Sequence, residues 1–295
     1  MNDKPSVSII MPTHNANTGF LHAAITSCLE QTHRGWELII VDDGSTNESP
    51  AVIAEYVASD ERIRCLRHPA KRRLPAALNS GIAQARGAFL TWLSDDDLFR
   101  PRALECLLDF LSSHPDIDIV YSDYSLLYAD GSVGERVRVG QPEELGIRKP
   151  VGICYLARYH AFASTGFSEE FFLAEDLDFW IRAFMRFRLA PVHCDLAFYR
   201  QHAQTLTNTQ SRAKILAVHQ RILDRHLPRM WWLDREGKTH AYLRLGKGFF
   251  ASGAPLPAMA AISRALCFGP LVFAKTIGDI FAARLGLGTG SAGIR

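Results

Sequence analysis

The 295-residue sequence lacks any C-x-x-C pair, and its six cysteines (Cys28, Cys65, Cys106, Cys154, Cys194 and Cys267) are scattered. Small disulfide-stapled scaffolds need a dense cysteine framework, so these read as reduced core thiols. A membrane-spanning run is also missing. The uncharged stretch between Lys247 and Arg264 falls short of the roughly 20 residues a span needs and is broken by Gly253, Pro255 and Pro257. Net charge is scarce, at +2, and no long run of like charge occurs, which argues against a nucleic-acid partner and for a small-molecule substrate. The first residues, "MNDKPSVSIIMPTHN", do not show the basic-then-apolar layout of a signal peptide, so a cytoplasmic location is expected. Internal repeats and low-complexity tracts are absent as well.

What the chain does have is 47% hydrophobic residues, enough for a sizeable core, arranged as short apolar runs that alternate with helical patterns. "VSIIM" precedes a helix over 18–31, "ELIIV" one over 49–58, "RIRCL" one over 74–86 and "FLTWL" one over 101–112. Continuous apolar strands separated by helices indicate a mostly parallel sheet covered on both faces. Ligands of such sheets sit at the carboxyl ends of the strands. Polar clusters fall at those ends: "PTHN" after the first strand, "DDGS" after the second and "SDDD" after the fourth. From about residue 117 the pattern loosens into a strand-like "IDIVYSDY", a turn at Asp130-Gly131 and a loop "GQPEELGIRKPVG". A helix is expected to begin near Asp176, followed by a strand "LAFYRQH" and a helical remainder. The apolar "LCFGPLVFAKTIGDIFAARLG" reads as a core helix in preference to one resting on a membrane surface.

Three adjacent carboxylates, Asp95, Asp96 and Asp97, repel one another, and a divalent cation would relieve them. Mg²⁺ and Mn²⁺ take oxygen ligands, commonly one or two protein carboxylates completed by phosphates and water. A solvated acidic turn or a helix cap is the plainer alternative. Asp42 and Asp43 divide between an Asx turn and acceptors for a ribose or a base. Lys71-Arg72-Arg73 fits either a wet surface or a diphosphate grip. Glu175 and Asp176 open a helix in which Asp178 and Arg182 are spaced for an i, i+4 ion pair.

Taken together, "SIIMPTHN", "ELIIVDDGST", "LNSGIAQARGAFLTWLSDDDLFRP", "EDLDFW" and "YRQH" resemble, in order and spacing, the inverting glycosyltransferases of the GT-A fold that use nucleotide-sugar donors, the family 2 type. The resemblance covers about residues 5–205. It implies an α/β GT-A domain over 1–210, with a nucleotide-binding half to about 115 and an acceptor half over 116–210, and a helical extension over 211–295. Thr13, His14 and Asn15 match the loop that meets the base, with His14 where an aromatic residue is common. Asp43 matches a base or ribose contact, and Lys71-Arg72-Arg73 departs from the Asn-x-Gly of many relatives, which bears on how the donor is gripped, with Arg73 the expected donor contact. Asp95 and Asp96 match the ribose and metal contacts, with Asp96 the principal ligand and His202 beside the metal. The family's acidic signature has a carboxylate where Ser94 stands here. Asp176 matches the general base, with Glu175 next to it.

The implied reaction moves one sugar from a nucleoside-diphosphate donor, UDP-linked by resemblance, to an acceptor hydroxyl with inversion, assisted by Mn²⁺ or Mg²⁺. Polysaccharide or glycoconjugate synthesis is the implied setting, with a glycan or lipid-linked acceptor and room for peripheral contact at the inner membrane face. Membrane spans and the Gln-x-x-Arg-Trp motif of processive relatives are absent. Rival readings are a non-catalytic nucleotide-sugar or glycan-binding scaffold, and a nucleotidyltransferase, which would want a Gly-rich basic loop after the first strand.

Overall fold

The computed structural model describes residues 5–276. The chain divides into two compact units, one formed by residues up to Leu145 and Lys149–Thr209, the other by Gly146–Arg148 and residues from Gln210 onward.

The first unit is built on a sheet of nine strands in the order β3-β2-β1-β4-β8-β6-β9-β5, with β7 paired to β6. Strands β1 (Val7–Thr13), β2 (Trp36–Asp42), β3 (Ile63–Arg67) and β4 (Phe89–Trp92) are mutually parallel. Helices α1 (Thr18–Leu29), α2 (Ser49–Ser59) and α3 (Leu74–Gln84) make the crossovers that parallel pairing requires. Every residue of β1 and β2 is buried, which explains why both read as unbroken apolar runs. Each large side chain so covered contributes about 1.5–3 kcal/mol.

Parallel pairing dominates only this first half. After β5 (Leu98–Phe99) and helix α4 (Ala103–Ser113), the sheet becomes mixed. The long β6 (Ile119–Tyr128) pairs antiparallel with β7 (Val133–Val137) and β8 (Tyr155–Arg158), but parallel with β9 (Leu189–Gln201). The turn expected at Asp130-Gly131 joins β6 to β7, with Gly131 at φ 86°. Helices α5 (Tyr159–Thr165) and α6 (Glu175–Phe184) cover this half, and the Asp178–Arg182 ion pair forms at 2.7 Å. A single turn of helix, α7 (Leu206–Thr209), ends the unit.

The second unit is helical where it is described: α8 (Arg212–His226), α9 (Arg235–Ala251), capped by Asp234 accepting from the Gly237 N–H, and α10 (Pro255–Phe268). The expected core helix "LCFGPLVFAKTIGDIFAARLG" is corrected in its described part. Helix α10 stops at Phe268 before Gly269, and Leu266 (46%) and Leu271 (85%) are exposed, because α10 buries alanines instead. The part from residue 277 lies outside the described residues.

Candidate functional site

Register places the polar clusters side by side. Thr13 ends β1 opposite Asp42 at the end of β2, Asp42 stands opposite Arg67 of β3, and the Leu93 N–H beyond β4 donates to the Ile10 carbonyl. Beyond these ends lies a pocket of about 360 Å³ whose wall includes His14, Asn15, Arg73, Asp95, Asp96 and His202.

Its floor is the turn at 94–97, whose three carboxylates take separate directions. Asp95 accepts from the Thr13 hydroxyl at 2.5 Å. Asp96 faces the His202 imidazole, Oδ2 to Nε2 2.9 Å. Asp97 is buried and accepts from the Arg200 N–H at 2.9 Å, while the Arg200 guanidinium donates to the Asp96 carbonyl. The carboxyl end of β9 therefore staples the turn, and Arg200 stacks over Phe20 at 4.3 Å to complete the clasp. Burial, then the Asp96 charge, pushes Asp95 up to about 7 and raises Asp97 well above its ordinary value. The crowded turn thus relieves its repulsion partly by keeping protons.

The metal set expected from the sequence, Asp96 with Asp95 and His202, does not close into a cage. Asp95 is turned to Thr13, and among the described residues no group of three or more His, Cys, Asp or Glu is placed to hold an ion unaided. What remains fits a cation that brings its own ligands. Asp96 presents a partly exposed carboxylate to the pocket with His202 beside it, and Mg²⁺ or Mn²⁺ usually takes its other oxygens from phosphates and water.

Lys71 and Arg73 also line the pocket, and Asp43 organises their loop. Its Oδ1 accepts from the Arg72 N–H at 2.8 Å and from His68 Nδ1 at 2.7 Å, and its Oδ2 accepts from the Arg73 N–H at 2.7 Å. Burial alone would raise this carboxyl, but the bonds from His68, Arg72 and Arg73 outweigh it and hold it below the usual range. Behind it, the His68 Nε2 lies 3.0 Å from the Ser80 hydroxyl, so one neutral tautomer satisfies both neighbours. Gly44 follows at φ 74°, packed so tightly that a Cβ would fall 2.9 Å from the Ala70 carbonyl carbon. Asp42 caps the same turn through the Ser45 N–H at 2.8 Å. His14 Nδ1 lies 2.9 Å from the Asp43 carbonyl, and Asn15 Oδ1 accepts from the Thr46 N–H at 2.8 Å.

Non-glycine residues in the left-handed region number three among the described residues: Asn15 (φ 52°), Arg73 (φ 75°) and Leu173 (φ 86°). Asn15 and Arg73 line the pocket, and Leu173 follows its wall residue Phe172. Backbone strain of this kind clusters at working sites. Arg73 stacks over Phe172 at 5.1 Å, and Asn79 pins the approach to that segment by donating to the Phe167 carbonyl and accepting from its N–H, both at 2.8 Å.

Glu175 and Asp176 are not in the wall of this pocket. Asp176 is one-third exposed, with a side-chain accessibility of 34%, and its Oδ2 accepts from Lys149 Nζ at 2.8 Å. Tyr124 links this patch to the acidic turn. Burial and then the Asp97 charge raise its hydroxyl, while Lys149 opposes them. Glu175 is buried and accepts from the Leu173 N–H at 2.9 Å. Burial, then the Asp176 charge, pushes it up from 4.5 to about 7. The folded chain therefore keeps a proton that the unfolded chain releases, and this contribution to stability is lost as pH rises through that window. Glu175→Gln, which cannot ionise, is expected to gain several degrees of thermal midpoint on the parent between pH 5 and pH 8. A difference that stays constant over that range would count against the assignment.

Sequence reasoning did not assign site roles to Phe20, Phe172, His68, Ser80 or Asn79; an aromatic in a helix or a lone histidine carries no pattern that marks it.

The sequence matches Glycosyl transferase family 2 over residues 8–149. It is also 30% identical over 191 residues to EpsE of Bacillus subtilis, a match covering 62% of this chain and 68% of EpsE. The chain belongs to glycosyl transferase family 2. Another similar protein is the UDP-Glc:alpha-D-GlcNAc-diphosphoundecaprenol beta-1,3-glucosyltransferase WfgD of Escherichia coli, 28% identical over 189 residues, which are 64% of this chain and 73% of WfgD. The uncharacterized protein y4gI of Sinorhizobium fredii is 30% identical over 196 residues, 64% of this chain, but that match spans only 21% of its length. Two solved structures share the GT-A fold at low identity. Staphylococcus aureus TarS 1–349 in complex with UDP-GlcNAc gives a TM-score of 0.63 at 15% identity, covering 95% of this chain and 92% of TarS 1–349. The mannosyltransferase PcManGT from Pyrobaculum calidifontis in complex with GDP-Man and Mn²⁺ gives 0.61 at 19%, covering 96% and 81%. Membership of family 2 supports a glycosyltransferase, and the mixed sheet with its helical C-terminal region has the architecture of these solved neighbours.

Proposed function

We propose that this chain transfers one sugar from a nucleoside-diphosphate sugar to an acceptor hydroxyl with inversion, assisted by a divalent cation. The observation that carries the reading is the single pocket where Asp96 and His202 face Arg73, His14 and Asn15. It offers a carboxylate and an imidazole to a cation and a guanidinium to phosphate. WfgD, by its name, draws on UDP-Glc and a diphosphoundecaprenol-linked acceptor, which supports a UDP donor and a lipid-linked glycan acceptor here.

In this reading the loop of Thr13, His14 and Asn15 meets the base, with the His14 ring as a stacking face. Asp95 holds the ribose hydroxyls. Asp43 acts by fixing the backbone of Arg72 and Arg73, so that the Arg73 side chain grips the diphosphate. Asp96 and His202 would hold Mn²⁺ or Mg²⁺, which when bound supplies Lewis-acid stabilisation of the departing diphosphate. Asp176 takes the proton from the acceptor hydroxyl as that oxygen bonds to the anomeric carbon, and the bond from that carbon to the diphosphate oxygen breaks on the opposite face. One displacement inverts the centre. Polysaccharide or glycoconjugate synthesis on the cytoplasmic side is the setting this chemistry fits.

The test is a screen of UDP-, GDP- and dTDP-sugars for release of the nucleoside diphosphate with and without Mn²⁺. We expect release from one donor class, dependent on the cation. Donor binding without transfer or hydrolysis under any condition would favour the scaffold reading instead.

A further inference from the structure

Helix α10 is packed inside out. Its inner face against α9 is made of Ala258, Ala261 and Ala265, all fully buried. Contact with α9 is close enough that a Cβ on Gly246 would fall 2.9 Å from Ile262. Its large apolar side chains point the other way: Leu256 is 78% exposed, Met259 60% and Leu266 46%. Helical spacing aligns these three on one stripe, interrupted only by Ser263. Phe250 at the end of α9 and Leu271 beyond α10 are exposed as well. A helix in water normally buries its large residues, so an outward stripe of this size marks a surface that meets something apolar.

Charge indicates what that is. Residues 210–276 carry 11 Lys and Arg against 3 Asp and Glu, a net of +8, whereas residues 1–209 carry 20 against 27, a net of −7. The near-neutral whole chain hides this division. An apolar stripe on a strongly cationic helical unit suits the interface of an anionic bilayer, where side chains enter the headgroup layer and Lys and Arg meet lipid phosphate. No helix among the described residues is long and apolar enough to span a membrane, so the contact is one of lying on the surface. A second copy meeting the same face would bring two units of like charge together. Nucleic acid would satisfy the charge and leave the stripe in water.

We propose that the stripe of Leu256, Met259 and Leu266, flanked by Phe250 and Leu271, seats the helical unit in the headgroup layer of a membrane rich in anionic lipid. The inference stands apart from the transfer reading, because it concerns binding alone. The full chain is mixed with phosphatidylcholine vesicles, or with vesicles containing about a third phosphatidylglycerol, and floated on a density gradient. The partition coefficient on anionic vesicles is expected to exceed that on neutral ones by at least about tenfold and to fall steeply with added salt. The Leu256→Ser, Met259→Ser, Leu266→Ser triple variant is expected to lose at least about tenfold with unchanged circular dichroism. If the triple variant loses helicity, Met259→Ser alone is expected to lose binding several-fold. A parent that ignores both vesicles, equal binding to both, or folded variants that float as well as the parent overturns the proposal. So does a lipid-free dimer that the triple variant dissociates.

Discussion

Asp176→Asn is expected to lower turnover by about 10²–10⁴-fold while the dissociation constant for the donor changes less than twofold. The substitution keeps the size and the Oδ1 acceptor for the Leu177 N–H, 2.8 Å away, so the start of α6 stays formed. It removes the capacity to take a proton together with the carboxylate charge that pairs with Lys149. Donor affinity is spared because Asp176 is outside the wall of the donor pocket. Glu175 is the control. Its side chain is buried against the Leu173 N–H, out of reach of an acceptor, so Glu175→Gln should retain most of the turnover that Asp176→Asn loses. Rapid-quench turnover alongside equilibrium donor binding separates the two residues. Full activity in Asp176→Asn, or a larger loss in Glu175→Gln, would remove Asp176 from the role of base.

Asp96→Ala is expected to abolish the cation-dependent part of donor binding, read by calorimetry with and without Mn²⁺. The argument rests on how the acidic turn divides its labour. Asp97 already answers the Arg200 N–H and Asp95 the Thr13 hydroxyl, which leaves Asp96 as the carboxylate turned to His202 at the pocket wall. Removing it takes away the proposed principal anionic ligand but not the Arg200 clasp, which uses the Asp96 backbone carbonyl. The fold should therefore survive with a thermal midpoint near that of the parent. Donor affinity that still rises equally with Mn²⁺ in the variant would place the cation elsewhere.

The positions of these groups were largely legible in the sequence, because parallel strands bring the residues after each strand to one edge whatever the intervening lengths. Thr13, Asp42 and the turn after Trp92 met there for that reason. The direction of each side chain was not legible. Three consecutive aspartates look equivalent in sequence, and what separates them is Arg200, which approaches from a strand some hundred residues later. Asp43 likewise reads as a ligand contact, yet its oxygens face the Arg72 and Arg73 backbone and a histidine that no local pattern tied to it. The mixed half of the sheet was hidden by the brevity of β7 and β8. The outward stripe of α10 escaped because an apolar helix reads the same from sequence whether it presents leucines or alanines to its neighbour.

The sheet order has a bearing on how the chain comes into being. Strand β5, which immediately follows the acidic turn, has β9 as its only strand partner and lies at the far margin of the sheet, so its pairing waits for a strand made much later. A ribosome that has delivered the first 115 residues has delivered every carboxylate of the turn but not Arg200, whose N–H and guanidinium hold Asp97 and the Asp96 carbonyl. The first 115 residues are therefore no detachable module: the acidic turn is finished by the last strand of the sheet, and the pocket is complete only when the whole first unit has closed.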